Sequence, residues 1–459
     1  MRIVDGVTVA VENALTQTSA RVAIVAPSAY PLGGVQTWLD YLVPGLESVG
    51  WNVTVVLVDG PQNNAKRYVQ THPFRQVHLV TNFTGSREGR VRALASTINS
   101  IRPNLVLGVN IADVYEAVAR VRQMGDAQLK VAIALHGLQP CFYGDVSMYK
   151  TVIDGAIATN RLAVAAATQI GGAESARAFY APCGVSVPAL AAPICTDGDL
   201  TLLYAGRFDS DEKRVLDLPL ILDALDRLQV GFRLRLAGSG PAEWELREAL
   251  KKFGDRVEFV GVLNEGTLQQ SFYCAGSVLL IMSPSETGPL VAWEAMANGV
   301  ALVTSEFTGI GIEGSLRNGE NCLTFPIGDA EAAAIAISRL TDPMRRQTLV
   351  RSGYRVVTER YSRESSVAAW NSAMRKILTL PRRIGVKESK TPIQASAGRL
   401  DLLFGTRLAE TLRRLLRIRF QHASAGAEWP HSYSDNASLR FYELLNLMDK
   451  TPNSDGNNS

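Results

Sequence analysis

The chain has 459 residues, 46% of them hydrophobic and 20% charged, which is enough apolar material for two or three cores and excludes wholesale disorder. Lys and Arg number 47 against 44 Asp and Glu, a net charge of +3, so a bulk nucleic-acid binder is excluded and no nucleic-acid partner is expected. No stretch approaches the ~18 consecutive apolar residues that a membrane span requires.

Asp5, Glu12 and Asn13 interrupt the start of the chain, so no secretory signal is expected there. Five scattered cysteines (Cys141, Cys183, Cys195, Cys274, Cys322) predict reduced thiols and a cytoplasmic setting. Five histidines in no ligand spacing give no metal site.

Residues 1–20 show no period and read as a leader. From Arg21 the pattern turns rhythmic. Apolar runs at Val22–Ala26, Asn52–Val58, Val77–Val80, Leu105–Val109, Val131–Leu135 and Ala156–Thr159 alternate with helix-period segments, the first of them from Gln36 to Val49. Buried runs alternating with helices predict an α/β domain with a parallel sheet covered on both faces, over residues 21–185. Residues 186–199 break into Pro, Ala, Gly and Ser and read as a linker.

The rhythm restarts over residues 200–378. Strands are expected at Leu200–Ala205, Arg233–Ala237, Val257–Val260, Val278–Met282 and Val300–Thr304. Helices are expected near Val215–Gln229, Pro241–Phe253, Glu265–Ala275 and Pro289–Asn298. The last helix of this domain is expected to return to the N-terminal one.

Residues 379–459 read as a basic helix and a disordered tail. Residues 380–420 carry ten Lys/Arg against three Asp/Glu. On a helix at ~100° per residue, Phe404, Leu408, Leu412 and Leu415 share one apolar face, with Arg413, Arg414 and Arg417 off it and Gly405 weakening it. Such a face serves an anionic membrane, a partner, or the protein's own body.

Ligands of doubly wound sheets sit beyond the C-terminal ends of the strands, so the residues after each strand carry the chemistry. After the first strand, Gly33-Gly34 opens a helix, where backbone can approach an anion closely. After the fifth comes His136-Gly137. After Leu200–Ala205 come Gly206-Arg207 and then Lys213, a planar fork and a point charge suited to a diphosphate, although Asp209, Asp211 and Glu212 lie between them.

The richest string is residues 283–299, SPSETGPLVAWEAMANG. Glu286 falls in a loop after a buried strand, Pro289 is expected at the first helical position, and Glu294 lies in the helix that Gly299 ends. The amides of Thr287, Gly288 and Leu290 then lie at a helix N-terminus, as an anionic or hydroxyl-rich ligand needs.

That string resembles the Glu-x7-Glu signature of retaining glycosyltransferases with the GT-B fold, in particular glycosyltransferase family 4. The Gly-Gly loop, His136-Gly137, Gly206-Arg207 with Lys213, Leu236–Pro241 (LAGSGP) and Val257–Gly261 (VEFVG) follow in the family's order over residues 21–378. The resemblance implies two Rossmann-like domains facing across a cleft, with the acceptor on the N-terminal domain and the donor on the C-terminal one. By resemblance, Arg207 and Lys213 bind the diphosphate of a UDP- or GDP-sugar, and Glu294 its ribose hydroxyls. Glu286, with residues Thr287, Gly288, Pro289 and Leu290, holds the sugar. His136 contacts the sugar near the reacting centre, and Gly33-Gly34 approaches the donor phosphate. The sequence departs from the family's pattern at Cys183-Gly184, usually Asn-Gly, at Cys322, usually glycine, and at Thr287-Gly288-Pro289, often Gly-Phe-Gly.

The resemblance implies a hexosyltransferase that needs no metal or other cofactor, the nucleotide-sugar being a substrate. Asp197-Gly198-Asp199 and Asp209-Ser210-Asp211 match the metal-holding Asp-x-Asp string and are read as acidic turns. Gly309-x-Gly311-x-x-Gly314 matches a dinucleotide fingerprint, but no helical pattern follows it, so NAD binding is rejected. Two carboxylates also invite a glycosidase reading, disfavoured because Glu294 points to the nucleotide end. A nucleotide-sugar epimerase, or a silent glycan-binding or scaffold subunit, would also fit the same architecture. Residues 60–102 hold seven Lys/Arg and only Glu88 as an acid. With residues 380–420 they are expected to favour a lipid-linked or anionic glycan acceptor at an anionic membrane surface.

Overall fold

A computed structural model describes residues 20–27, 34–58, 65–72, 74–126, 128–188, 199–383, 398–420 and 438–450. The leader before Ala20, Gly33, most of the linker with Cys195, and the last nine residues of the tail lie outside the described residues. By internal contacts the chain divides into two compact units. One comprises Met1–Ala134, Gly144–Ala156 and Met374–Ser432, the other Leu135–Tyr143, Ile157–Ala373 and Tyr433–Ser459.

The strands in chain order are β1 (Ala20–Pro27), β2 (Trp51–Val58), β3 (Val77–Val80), β4 (Leu105–Val109), β5 (Lys130–Leu135), β6 (Gly155–Ala158) and β7 (Ala178–Tyr180), then β8 (Leu200–Ala205), β9 (Phe232–Ala237), β10 (Val257–Gly261), β11 (Val278–Ile281), β12 (Ala301–Ser305) and β13 (Leu323–Phe325). They form a seven-stranded sheet ordered β3-β2-β1-β4-β5-β6-β7 and a six-stranded sheet ordered β10-β9-β8-β11-β12-β13. The described ladders are parallel, with β1 pairing both β2 and β4, and β8 pairing both β9 and β11. Each order reverses direction once, between β1 and β4 and between β8 and β11, as in Rossmann-like sheets.

Helices over both faces explain why these strands read as unbroken apolar runs: Val22, Ile24, Leu105, Leu107, Leu202, Leu234, Val278 and Val303 are all fully buried. Side-chain caps set helix starts where turn residues meet apolar runs. Ser86 Oγ accepts from Gly89 N, Asn160 Oδ1 from Leu162 N, and Asp342 Oδ1 from Met344 N, ahead of Pro343 at the first helical turn.

Three expectations are corrected. The segment Glu265–Ala275 is not one helix but an α turn Glu265–Thr267, a π turn Leu268–Phe272 and a 3-10 turn Tyr273–Ala275. Pro289 is the cap of its helix, not its first residue, and the helix runs Leu290–Ala297. The helix Arg399–Leu415 is interrupted at Gly405, whose φ of 74° and ψ of 158° lie outside helical geometry. The strands β7 and β13, three residues each, and a helix at Ser438–Asp449 have no counterpart in the sequence reading.

The basic stretch 60–102 is also not a free cationic surface. In the first unit, Arg87 Nε and Arg90 Nε lie 2.7 and 2.6 Å from the two oxygens of buried Asp113, and Arg87 also meets Glu116 at 2.8 Å. Arg92 and Arg120 both bond Glu88, at 2.8 Å each. Lys66, Arg67, Arg75 and Arg102 remain exposed, the first two on the helix Ala65–Thr71 and the other two outside it.

In the second unit the chain leaving Ala181 is pinned. Ser366 Oγ donates to Pro182 O at 2.6 Å, Val185 N to Tyr361 O at 2.8 Å, and Arg363 N to Val185 O at 3.1 Å. Gly184 sits so close to this helix junction that a Cβ would fall 2.5 Å from Ser362 O and 2.8 Å from Ser366 Cβ. Glycine is thus required there by contact with backbone, whatever residue precedes it.

Candidate active site

The reversal between β8 and β11 places two loops side by side in the second unit, the loop after β8 and the loop after β11. The first is shaped from below by the Leu236–Pro241 turn. Phe208 N donates to Ser239 O at 2.9 Å and Ala242 N to Phe208 O at 3.0 Å, while Tyr204 Oη donates to Arg207 O at 2.7 Å. Asp209 Oδ1 closes an Asx turn by accepting from Asp211 N and Glu212 N at 3.0 and 2.7 Å.

Lys213 leaves this loop toward the neighbouring one, and its Nζ donates to Glu286 Oε1 at 2.5 Å. Arg207 does not follow it. Its guanidinium, half exposed, turns back to Glu212 and lies 3.8 Å from Asp209. The two cations expected to converge therefore rest on different carboxylates. Neither pair is sealed, since 31% of the Lys213 side chain and 52% of the Arg207 side chain are exposed.

Glu286 is held by backbone. Its N–H donates to Thr308 O at 3.1 Å, in the loop after β12. Thr287 Oγ1 donates to His136 O at 2.8 Å, and Thr159 Oγ1 lies 3.3 Å from both Leu135 O and Thr287 O. Gly288 has a φ of +104°, a conformation that only glycine adopts without strain, and it turns the chain into Pro289 and the helix Leu290–Ala297. No side chain caps that helix, and its dipole makes the N-terminus a seat for negative charge.

Glu294 lies one turn further in and is buried. Its Oε2 accepts from Tyr273 Oη at 2.7 Å. Burial and the adjacent carboxylate push the Tyr273 phenol well above its ordinary range, so it stays a proton donor. One carboxylate oxygen is thereby held by a buried phenol that keeps its proton.

His136 is half-buried beside Trp370, the rings stacked 5.9 Å apart and 11° from parallel, with Cys183 Sγ 3.9 Å from Nδ1. Burial pushes its pKa down to about 4. The imidazole is neutral near pH 7 and suits a sugar hydroxyl better than a phosphate. Gly34, exposed, begins the helix Gly34–Ser48 of the first unit; its neighbour Gly33 lies outside the described residues.

Three supports escaped sequence reasoning. Tyr273 precedes Glu294 by 21 residues and sits on an irregular turn that carries no periodic signal. Glu313, buried, accepts from Arg161 N at 2.8 Å, from Tyr180 Oη at 2.5 Å and from Tyr361 Oη at 2.7 Å, fixing the loop after β12. Asp449, at the end of the helix Ser438–Asp449, accepts from Gly309 N at 2.8 Å and Ile312 N at 3.0 Å, and Asn446 Oδ1 from Thr308 Oγ1 at 2.6 Å. The turn that mimics a dinucleotide fingerprint thus has its amides engaged by a carboxylate of the chain itself. Phe441 of the same helix packs on Tyr143, whose Oη donates to Gly137 O at 3.0 Å.

Residues 199–342 match the sequence model of the family Glycosyl transferases group 1. Among curated relatives, a glycogen synthase of Mycobacterium tuberculosis is 33% identical over 177 residues, 38% of this chain and 41% of that protein. A phosphatidyl-myo-inositol mannosyltransferase of Mycolicibacterium smegmatis is 24% identical over 399 residues, 83% of this chain and 98% of that protein. The chain therefore spans about two fifths of the glycogen synthase and nearly all of the mannosyltransferase. Among solved structures, Anabaena HepE in complex with UDP and glucose matches with a TM-score of 0.62 at 14% identity, covering 78% of this chain and 99% of that one. These likenesses, with the two Rossmann-like sheets, identify the fold as GT-B.

Proposed function

We propose that this chain, whose residues 199–342 match the family Glycosyl transferases group 1, moves a hexose from a nucleoside diphosphate sugar to a hydroxyl of a glycan or lipid-linked acceptor, with retention at the anomeric carbon. The observation that carries this reading is the Lys213–Glu286 contact across the β8/β11 reversal, beside the N-terminus of the helix that bears Glu294. Cation, carboxylates and helix end are what a diphosphate joined to two sets of hydroxyls requires.

In this reading Lys213 and Arg207 receive the diphosphate, Arg207 exchanging Glu212 for phosphate oxygen. Glu294, held by Tyr273, takes the ribose hydroxyls. Glu286 and the amides of Thr287, Gly288 and Leu290 hold the sugar, and neutral His136 serves a hydroxyl near the anomeric carbon. A UDP-sugar is the first donor to test, since UDP occupies the HepE complex, and a GDP-sugar is the second.

As the bond from the anomeric carbon to phosphate oxygen loosens, positive charge grows on the sugar and negative charge on the departing diphosphate. The acceptor oxygen enters on the same face, and its proton passes to the leaving phosphate oxygen. Lys213, Arg207 and the helix N-terminus stabilise that oxygen, each good donor lowering the barrier by about 3 kcal/mol, so the reading assigns no metal ion. The name of the mannosyltransferase relative supports a lipid-linked acceptor. Such an acceptor would place the enzyme at the cytoplasmic face of a membrane.

The test is an acceptor-dependence assay with UDP- and GDP-sugars and lipid extracts, with the products analysed for anomeric configuration. Nucleoside diphosphate released only with acceptor, together with a product that keeps the donor's configuration, supports the reading. Epimerised donor formed without acceptor, or no turnover with any donor and acceptor pair, contradicts it.

A further inference from the structure

We propose that the outward face of residues 399–420 is a lipid-binding surface that seats the protein on an anionic bilayer. The inference rests on the membrane side of the function proposed above and supplies the surface that makes the contact.

An amphipathic helix that docks on its own protein turns its apolar stripe inward. Here the reverse holds. The buried residues of the segment are Ala409, Glu410 and Arg413. Glu410 is wholly buried and accepts from Thr84 Oγ1 at 2.8 Å and from Ser86 Oγ at 2.5 Å. Arg92 Nη2 donates to Arg407 O at 2.7 Å, and Phe420 N to Thr84 O at 2.6 Å. Arg413 turns to Asp401, its Nη1 and Nη2 at 2.7 and 2.5 Å from the two carboxylate oxygens. Polar groups therefore fasten the segment, and they fix its rotation.

The apolar stripe is left facing out. Leu402 is 75% exposed, Leu403 74%, Phe404 51%, Leu408 52%, Leu415 75% and Leu416 64%. On a helix at ~100° per residue, Leu408, Leu412, Leu415 and Leu416 span about 100°, beside the arc that carries Ala409, Glu410 and Arg413. The interruption at Gly405 lets the preceding turn bring Leu402, Leu403 and Phe404 outward too. Phe83, 53% exposed, adds its ring beneath Arg419, whose guanidinium lies 5.6 Å from the ring centroid.

Charge selects the occupant. Residues 399–420 hold six arginines and two acids. Both acids are turned inward, while Arg399, Arg407, Arg414, Arg417 and Arg419 are exposed. Two copies of this face would bring like charges together, which disfavours a dimer. An anionic lipid surface satisfies both the leucines and the arginines, the leucines entering the acyl boundary and the guanidiniums meeting phosphate.

The experiment is flotation of the full chain with vesicles of phosphatidylcholine, alone or mixed with phosphatidylglycerol, at low and high salt. Binding to the mixed vesicles is expected, weakening with salt and on phosphatidylcholine alone. The variant L402D/L408D/L415D should lose it by on the order of a hundredfold. A second variant, R417Q/R419Q, keeps the apolar stripe and should lose the preference for phosphatidylglycerol. Thermal response to UDP, read on the same samples, checks folding and is expected to be unchanged. No flotation at low salt, flotation of the triple variant equal to the parent, or a dimer in sizing experiments that the triple variant dissolves would overturn the proposal. A parent that floats but ignores every nucleotide leaves the surface standing and removes the transferase reading instead.

Discussion

Around Asp113 in the first unit, Arg87 and Arg90 close on one carboxylate from both sides, and 1% of the Asp113 side chain is exposed. In the second unit, Lys213 reaches Glu286 while 31% of its side chain stays exposed, and Arg207 rests on Glu212 at the surface. Both regions are clusters of cations and carboxylates. The first is closed, with every charge committed to a neighbour across a helix pair. The second lies beyond the ends of two adjacent strands and beside a helix N-terminus, with cations that can change partners. A closed cluster stabilises a fold, and an open one can receive a ligand.

The largest effect that would test this contrast is on stability. Asp113→Ala leaves the Arg90 guanidinium buried without its counter-charge and Arg87 with Glu116 alone, and should cost about 3 kcal/mol or more in denaturant unfolding, with nucleotide affinity of the folded fraction unchanged. Burial pushes the Asp113 carboxyl up, but Arg90 and Arg87 beside it more than offset that and hold it below the usual carboxylate range. Its stabilising contribution is therefore complete above the unfolded pKa and lost as pH falls through the folded one.

Next in size, Lys213→Ala should raise the transfer barrier by about 3 kcal/mol, on the order of a hundredfold in kcat, with little change in unfolding free energy. A variant that unfolds easily but turns over normally would mean that this pair too is structural. Tyr273→Phe removes the hydrogen bond that fixes buried Glu294 and should weaken nucleotide binding by roughly tenfold, about 1.4 kcal/mol in titration calorimetry. Asp449→Ala releases the amides of Gly309 and Ile312. Its expected cost is ~1 kcal/mol, read as faster hydrogen exchange confined to residues 308–314.

The smallest effect at neutral pH concerns His136. Its pKa, pushed by burial from 6.5 to about 4, makes the unfolded chain the better proton acceptor between those values. Stability should fall as pH drops through that window, and His136→Gln should flatten the fall while leaving stability at pH 7 nearly unchanged. An unaltered pH profile in the variant would place the titration elsewhere.

The strands that bear the site were legible because burial on both faces writes unbroken apolar runs, as in Leu200–Ala205 and Val278–Ile281. Arg207, Lys213, Glu286 and Glu294 could be placed as candidates because the loops and the helix that carry them come after those runs. What stayed hidden depends on tertiary partners. Nothing near Lys213 says that it bonds Glu286 and not a neighbour of Arg207. Nothing near residues 87–92 announces Asp113, so three arginines read as a patch while two of their acids lie on the next helix. Tyr273 and Asp449 act through one and two hydrogen bonds from irregular or terminal segments, which no period marks. The helix near residue 410 was legible as amphipathic, but its rotation is set by Thr84 and Ser86, more than 300 residues away.

The most direct measurement is a calorimetric and thermal-shift panel of UDP, GDP, ADP, TDP and CMP on the parent chain, Lys213→Ala, Glu294→Ala and Asp113→Asn. A donor site at the β8/β11 reversal predicts that one nucleotide raises the melting temperature by several degrees when present at about a hundred times its Kd. That shift should vanish in Lys213→Ala and Glu294→Ala, and persist in Asp113→Asn despite a lower starting temperature. A nucleotide shift that survives both second-unit variants would contradict the account, because the open charge cluster would then not be the place where the donor binds.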